Sequence, residues 1–206
     1  MKQEKLKRIR SVAVYCASRE PNSPEYAEAV IAFGRYLAEH GMTLVYGGSN
    51  VGLMKLLADT VLENGGRVEG VFSAALPEKL RHSNLSECIT TCNLAERKAE
   101  MLRRADAVVA LPGSFGTWDE LFDALALRKM KTGHKHPVGL LNICGYYDPI
   151  LALVEQSVQL GLTSPGDRNL LKVAKTPEQL FKQLAGSLVL DETEFPGTQG
   201  DISLKE

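Results

Sequence analysis

Short apolar, β-branched runs that alternate with amphipathic segments constrain this chain more than any other feature. The sequence predicts strands at Ser11–Cys16, Met42–Tyr46, Arg67–Phe72, Glu87–Cys92, Asp106–Leu111 and Pro137–Leu141. Between them the spacing predicts helices. The first runs from Pro24 to about His40, with Ser23 placed to cap it and Gly41 to end it. The next covers Val51–Glu63 and is stopped by Asn64-Gly65-Gly66. Leu94–Arg104 follows, capped by Asn93 with Glu96 in the capping-box position; then come Thr117–Met130, Tyr147–Leu160 and Pro177–Leu184. Residues 74–86 read as irregular, with one short helical turn. Strands alternating with helices at this spacing build a doubly wound parallel sheet with helices on both faces, a three-layer α/β sandwich.

A length of 206 residues suits one domain with a sizeable core, expected to span residues 1–190. Residues 191–206 are polar and rich in turn formers and read as a flexible tail. The formal charge of −1 gives no electrostatic case for nucleic acid or a membrane surface as partner. No apolar run is long enough to cross a bilayer, and the basic start lacks a signal-peptide apolar region, so a cytoplasmic protein is expected. Cys16, Cys88, Cys92 and Cys144 contain no CxxC pair, and no histidine stands near Cys88 and Cys92 to complete a zinc set. Buried free thiols are the expectation for three of the four, a solvated loop is the expectation for His134 and His136, and no metal site is expected.

Two glycine-rich turns follow predicted strands: Gly47-Gly48-Ser49-Asn50-Val51-Gly52 and Gly113-Ser114-Phe115-Gly116. In a doubly wound sheet such turns gather outside the carboxyl ends of the strands, where ligands sit. The second turn leads from a strand into a helix, whose first N–H groups and macrodipole favour an anion. Neither turn is a dinucleotide fingerprint, and no G-x-x-x-x-G-K-[ST] occurs, so a mononucleotide fits better than NAD or ATP chemistry. Gly47, Gly48, Ser49, Gly113, Ser114, Phe115, Gly116 and Thr117 are the candidate phosphate- and substrate-binding residues.

Glu120 lies one turn into the helix that follows. Thr117-x-x-Glu120 is also the pattern of a capping box, which would satisfy two helix N–H groups and do nothing else. Spacing alone leaves both readings open. Arg97 falls in the first turn of its own helix, where the dipole disfavours a cation, which points to another interaction holding it there. Lys98 beside it suits either the site or solvated surface. If Glu120 and Arg97 converge, the pair suits cleavage of an N-glycosidic bond, whose oxocarbenium-like transition state a carboxylate stabilises.

Glu96-Arg97-Lys98-Ala99-Glu100-Met101 and Pro112-Gly113-Ser114-Phe115-Gly116-Thr117-Trp118-Asp119-Glu120 resemble the paired R-K and P-G-G-x-G-T-x-x-E motifs of the LOG (LONELY GUY) family. Tyr46-Gly47-Gly48-Ser49 with Val51-Gly52-Leu53-Met54, Pro137–Asn142 and Gly145-Tyr146-Tyr147-Asp148 are similar to further landmarks of that family, in the same order. These proteins are cytokinin riboside 5′-monophosphate phosphoribohydrolases, long mislabelled as lysine decarboxylases. The resemblance implies a Rossmann-like fold and a homodimer that hydrolyses a nucleoside 5′-monophosphate to free base and ribose 5-phosphate, with no cofactor. It implies that Arg97 and Glu120 are the catalytic pair, with Arg97 and Lys98 also at the substrate. Departures fall at Leu94-Ala95 (usually Met-His), at Ser114 and Ser49 (usually Gly), and in the first loop, Cys16-Ala17-Ser18-Arg19 (usually C-G-S-S). A serine fits these turns where φ is negative. The altered glycine loops leave an alternative, a non-catalytic nucleotide- or molybdenum-cofactor-binding protein on the same fold. Trp118, Leu121, Phe122, Leu125 and Leu127 spread over more than one helix face, which suits either a dimer contact or burial within one subunit.

Overall fold

The structure, a computed structural model, describes residues 9–130 and 134–193. Among the described residues seven strands form one sheet, all neighbours parallel, in the order β4-β3-β2-β1-β5-β6-β7. The chain runs β1 (Ser11–Tyr15), α1 (Pro24–Glu39), β2 (Thr43–Tyr46), α2 (Gly52–Glu63), β3 (Val68–Ser73) and β4 (Glu87–Thr91). It continues through α3 (Leu94–Arg104), β5 (Ala107–Ala110), α4 (Phe115–Met130), β6 (Val138–Leu141), α5 (Asp148–Gln159), β7 (Leu171–Ala174) and α6 (Pro177–Thr193). The expected α/β three-layer fold is the one observed.

Strands β1 and β5 lie at the centre, with Val12 opposite Ala107 and Tyr15 opposite Ala110. Because side chains alternate across a strand, Val12 and Val14 enter one core with α1, α2 and α6, while Ala13 and Tyr15 enter the other with α3, α4 and α5. Val109 and Val108 divide in the same way. Burial on both faces explains why these strands read as continuous apolar runs rather than alternating ones. The order of connections reverses between β1 and β5, so the loops after these strands diverge and leave a crevice at the carboxyl edge of the sheet.

Several expectations are corrected. Strand β7 has no counterpart in the sequence reading. It is a four-residue edge strand with Lys172 in its middle, preceded by a 3-10 segment at Pro165–Leu170, so it lacks an apolar run to mark it. Helix α6 continues past Leu184 to Thr193, so the expected tail begins inside its last turns, and residues 194–206 lie outside the described residues. Only Cys16 is buried; Cys88, Cys92 and Cys144 are exposed. Cys88 lies on β4, which is the other edge of the sheet, and Cys144 sits in a tight turn at φ 49°. His134 is not solvated: its ring stacks on His136 at 5.0 Å, its Nε2 lies 3.0 Å from the Ala124 carbonyl, and burial lowers its pKa to about 4.

The loop after β1 is held against the start of α2. Ala17 N–H donates to the Pro112 carbonyl (3.1 Å) and the Ala17 carbonyl accepts from Met54 N–H (3.2 Å). Gly52 opens α2 at φ +56°, and a Cβ there would collide with the backbone of Ser18 and Arg19. Gly161 has a similar φ, +72°, but open space around it. Gly161→Ala should therefore destabilise by about 1 kcal/mol from the left-handed backbone alone. Gly52→Ala should lose at least about 2 kcal/mol more, because backbone must move. Urea unfolding of the two variants checks this; equal losses would contradict the close approach at Gly52.

Candidate active site

Helix α3 begins under a well-made cap. The Asn93 side chain accepts from Glu96 N–H (2.9 Å), and the Glu96 carboxylate accepts from Cys92 N–H (3.0 Å) and Asn93 Nδ2 (2.8 Å). The cap fixes the first turn of α3 and with it Arg97. Arg97 Nη2 donates to Glu120 Oε1 at 2.6 Å, joining α3 to α4. The two side chains are only 14% and 9% exposed. Gly47 makes room for the guanidinium, since a Cβ at that position would lie 3.1 Å from Arg97 Nη1.

Glu120 does not cap its helix. Helix α4 starts at Phe115, and Trp118 N–H donates to the Ser114 carbonyl (2.9 Å), which puts the N-terminus three residues before the expected box. The Glu120 carboxylate reaches Arg97 instead, so the local reading loses to a contact between residues 23 apart in sequence. Burial raises the Glu120 pKa from 4.5 to about 7, and the Arg97 charge opposes that rise. Glu120 is thereby poised between carboxylate and carboxylic acid near neutral pH, a condition common where side chains move protons.

The pair borders a cavity of about 280 Å³, near the small end of ligand pockets. Of the expected binding residues, Gly47, Ser49, Ser114, Gly116 and Thr117 line it with Arg97 and Glu120. The first turn of α4 contributes three of these, and its leading N–H groups have no acceptor within the helix. Gly116 has nothing within 4 Å of where a Cβ would stand. Gly48 and Gly113 shape the turns rather than line the cavity. Gly48 adopts φ +70° against Phe72, and a Cβ on Gly113 would strike the Thr117 side chain. Ser49 and Ser114 avoid the left-handed region, so serine is accommodated at both departures.

Two expected residues lie apart from the others. Lys98 pairs with Asp119 (3.0 Å) and Asp123 (3.7 Å) along α4 and does not line the cavity. Phe115 is 81% exposed and packs edge-on against Trp118 at 5.1 Å. The turn between β5 and α4 is pinned from the β6–α5 connection: Tyr146 Oη donates to the Gly113 carbonyl, and Tyr147 Oη donates to the Leu111 carbonyl at 2.6 Å. These fastenings involve the Gly145-Tyr146-Tyr147-Asp148 motif.

Sequence reasoning did not single out Tyr15, Leu76, Leu80 or Leu94 as cavity residues. Tyr15 comes from the end of β1; burial and the charge of Glu120 both raise the pKa of its hydroxyl. Its place at the carboxyl end of the strand before the crevice was a signal for it. Leu76 and Leu80 belong to the 74–86 stretch, where no periodicity marks a buried face.

Fold and site together define a doubly wound α/β protein whose crevice holds a buried arginine–glutamate pair at a helix N-terminus. The family model described as "Possible lysine decarboxylase" matches residues 54–184. The cytokinin riboside 5′-monophosphate phosphoribohydrolase LOG of Oryza sativa subsp. japonica is 37% identical over 182 residues, which is 88% of this chain and 75% of that protein. Cytokinin riboside 5′-monophosphate phosphoribohydrolase LOG7 of Arabidopsis thaliana is 37% identical over 183 residues, 88% of this chain and 84% of that protein. This chain belongs to the LOG family. A molybdenum cofactor binding protein from Rippkaea orientalis shares the fold, with a TM-score of 0.62 and 24% identity across 88% of this chain and 98% of that one.

Pairing with Arg97 should matter most when Glu120 is ionised. The Glu120 pKa is raised on folding, so its contribution to stability is full below about pH 4.5 and is lost as pH rises through about 7. Arg97→Met should therefore cost about 3 kcal/mol at pH 8.5, where a buried carboxylate loses its partner, and about 1 kcal/mol or less at pH 5. Urea unfolding at the two pH values checks this; an equal loss at both would contradict the coupling.

Proposed function

We propose that the protein is a nucleoside 5′-monophosphate phosphoribohydrolase of the cytokinin-activating type. It hydrolyses the N-glycosidic bond to release free base and ribose 5-phosphate. The observation that carries this reading is the buried Arg97–Glu120 contact at 2.6 Å on a cavity bordered by the N-terminus of α4. The names of the rice and Arabidopsis relatives support it.

In this reading the phosphate meets the first turn of α4 at Ser114, Gly116 and Thr117, where free N–H groups and the helix dipole favour an anion. The ribose then lies toward Glu120. As the C1′–N bond lengthens, positive charge grows on the sugar and the Glu120 carboxylate stabilises it. Water attacks C1′ and loses a proton to Glu120, while the bond's electron pair leaves with the base, which takes its proton from solvent. Arg97 orients the carboxylate and keeps it ionised enough to act. Gly47, Gly48, Ser49 and Gly113 shape the walls and turns around the substrate, and Lys98 holds α3 to α4 through Asp119.

The reading includes a homodimer acting in the cytoplasm. Phe115, Phe122 and Met130 on α4 are 81%, 43% and 65% exposed, an apolar stripe suited to an isologous contact beside the site.

Incubation with AMP, N6-isopentenyl-AMP, GMP, CMP and UMP, followed by chromatography of free base, tests the activity. Base release should fall at least about 100-fold in both Glu120→Ala and Arg97→Ala. Tight binding of intact nucleotide without turnover over hours would replace the enzyme with a binding protein. Sedimentation should show a dimer that Phe122→Asp dissociates; a monomeric parent protein would remove the dimer from this reading.

A further inference from the structure

One buried polar contact takes no part in the chemistry described so far. His82 is 7% exposed and lies outside the cavity lining. Asn84 N–H donates to its Nδ1 (3.3 Å), so the ring hydrogen sits on Nε2, which donates to Asp59 Oδ1 at 3.0 Å. The other oxygen of that carboxylate pairs with Lys55, one turn earlier on α2. Both ring nitrogens and both carboxylate oxygens are therefore satisfied, which offsets the cost of burying them.

His82 ends a strap, residues 76–82, that crosses the first glycine turn. Its own N–H donates to the Gly48 carbonyl (2.9 Å), Asn50 N–H donates to the Leu80 carbonyl (2.8 Å), and Ser49 and Arg81 form an isolated antiparallel bridge. The turn is closely packed on its other sides. A Cβ on Gly48 would stand 3.2 Å from Phe72 Cβ, and one on Gly47 would stand 3.1 Å from Arg97 Nη1 and 3.6 Å from Met54 Sδ. A turn with this little clearance sets where the Arg97 guanidinium can lie, and the His82 side chain ties the strap that holds it to α2. An apolar residue in place of His82 would be buried as readily but would not fix a direction, whereas hydrogen bonds at both ring nitrogens do.

We infer that His82 and Asp59 are positioning residues for the proposed hydrolysis: their contact holds the Gly47–Ser49 turn, through the Gly48 carbonyl, at the place that seats Arg97 against Glu120. Neither residue touches the substrate. The kinetic consequence rests on the proposed hydrolase reading, while the effect on Arg97 and Glu120 exists without turnover. Small displacements of a group that must meet the reacting bond cost far more in rate than in stability, so the contact acts on catalysis out of proportion to its share of the fold.

The test reads the Glu120 titration midpoint by NMR of the full chain with carbon-13 in its glutamate carboxyls, the Glu120 signal being assigned by Glu120→Gln. Turnover of N6-isopentenyl-AMP is measured beside it. Asparagine at position 82 can replace Nδ1 but falls short of Asp59, whereas glutamine reaches as far as Nε2. His82→Asn and Asp59→Ala should raise the midpoint by at least about 0.5 pH unit, because a displaced Arg97 charge stabilises the carboxylate less. In the same two variants kcat should fall about ten-fold with KM changed less than about three-fold. His82→Gln should keep the parent midpoint and stay within about two-fold in kcat. The inference is overturned if either readout stays at the parent value in His82→Asn and Asp59→Ala while only urea stability falls, or if His82→Gln behaves as His82→Asn does. If the parent protein releases no base from any nucleotide, the hydrolase reading fails and the NMR midpoints alone decide. Midpoints raised in His82→Asn and Asp59→Ala and kept in His82→Gln would then support the tie to Arg97, and unmoved midpoints would overturn it.

Discussion

The contact between Arg97 and Glu120 is the constraint around which the crevice is organised. A carboxyl this deeply buried would ordinarily remain protonated, and an isolated guanidinium would not stay in a largely dry site. Each makes the other tolerable, and the balance leaves Glu120 titrating near pH 7. The surroundings serve that balance. The Asn93 cap fixes the turn that carries Arg97, Gly47 leaves space for its guanidinium, and the early start of α4 brings Glu120 into reach.

The fold supplies the crevice. Reversal of strand order between β1 and β5 separates their following loops, and the glycine turn after β2 joins them at the same edge of the sheet. The tyrosines at the β6–α5 connection then hold the β5–α4 turn by its carbonyls, so four separate segments fix one small cavity. Much of what the glycines provide is clearance rather than ligand contact: for Arg97 at Gly47, for Thr117 at Gly113, and for the β1–α1 loop at Gly52.

Most of this architecture was legible in the sequence because central parallel strands are apolar on both faces and residues such as Pro24, Gly41 and Asn93 mark helix ends, although the Ser23 side chain does not cap α1 as expected. Six of the seven strands and the residues of the Arg97–Glu120 contact could be named from pattern and motif. Strand β7 could not, because an edge strand with Lys172 at its centre needs no continuous apolar run. The Thr117–Glu120 spacing was ambiguous in sequence because a local cap and a long-range ion pair use the same residues, and only the geometry of α3 decides between them. Cys88 was misjudged because strand-like surroundings do not distinguish an edge from a centre. Leu76 and Leu80 were missed because a strap held by backbone contacts carries no periodicity.

Membership of the LOG family supports glycosidic hydrolysis, and the role proposed for Glu120 requires its carboxylate to be ionised. The most direct measurement is the pH dependence of kcat/KM for base release from N6-isopentenyl-AMP, from pH 5 to pH 9, in the parent protein and in Arg97→Gln. If Glu120 acts as the carboxylate, the rate falls toward acid with a midpoint near pH 7, and loss of the Arg97 charge moves that midpoint upward. A profile that is flat across this range, or a midpoint unmoved in Arg97→Gln, would contradict that role for Glu120.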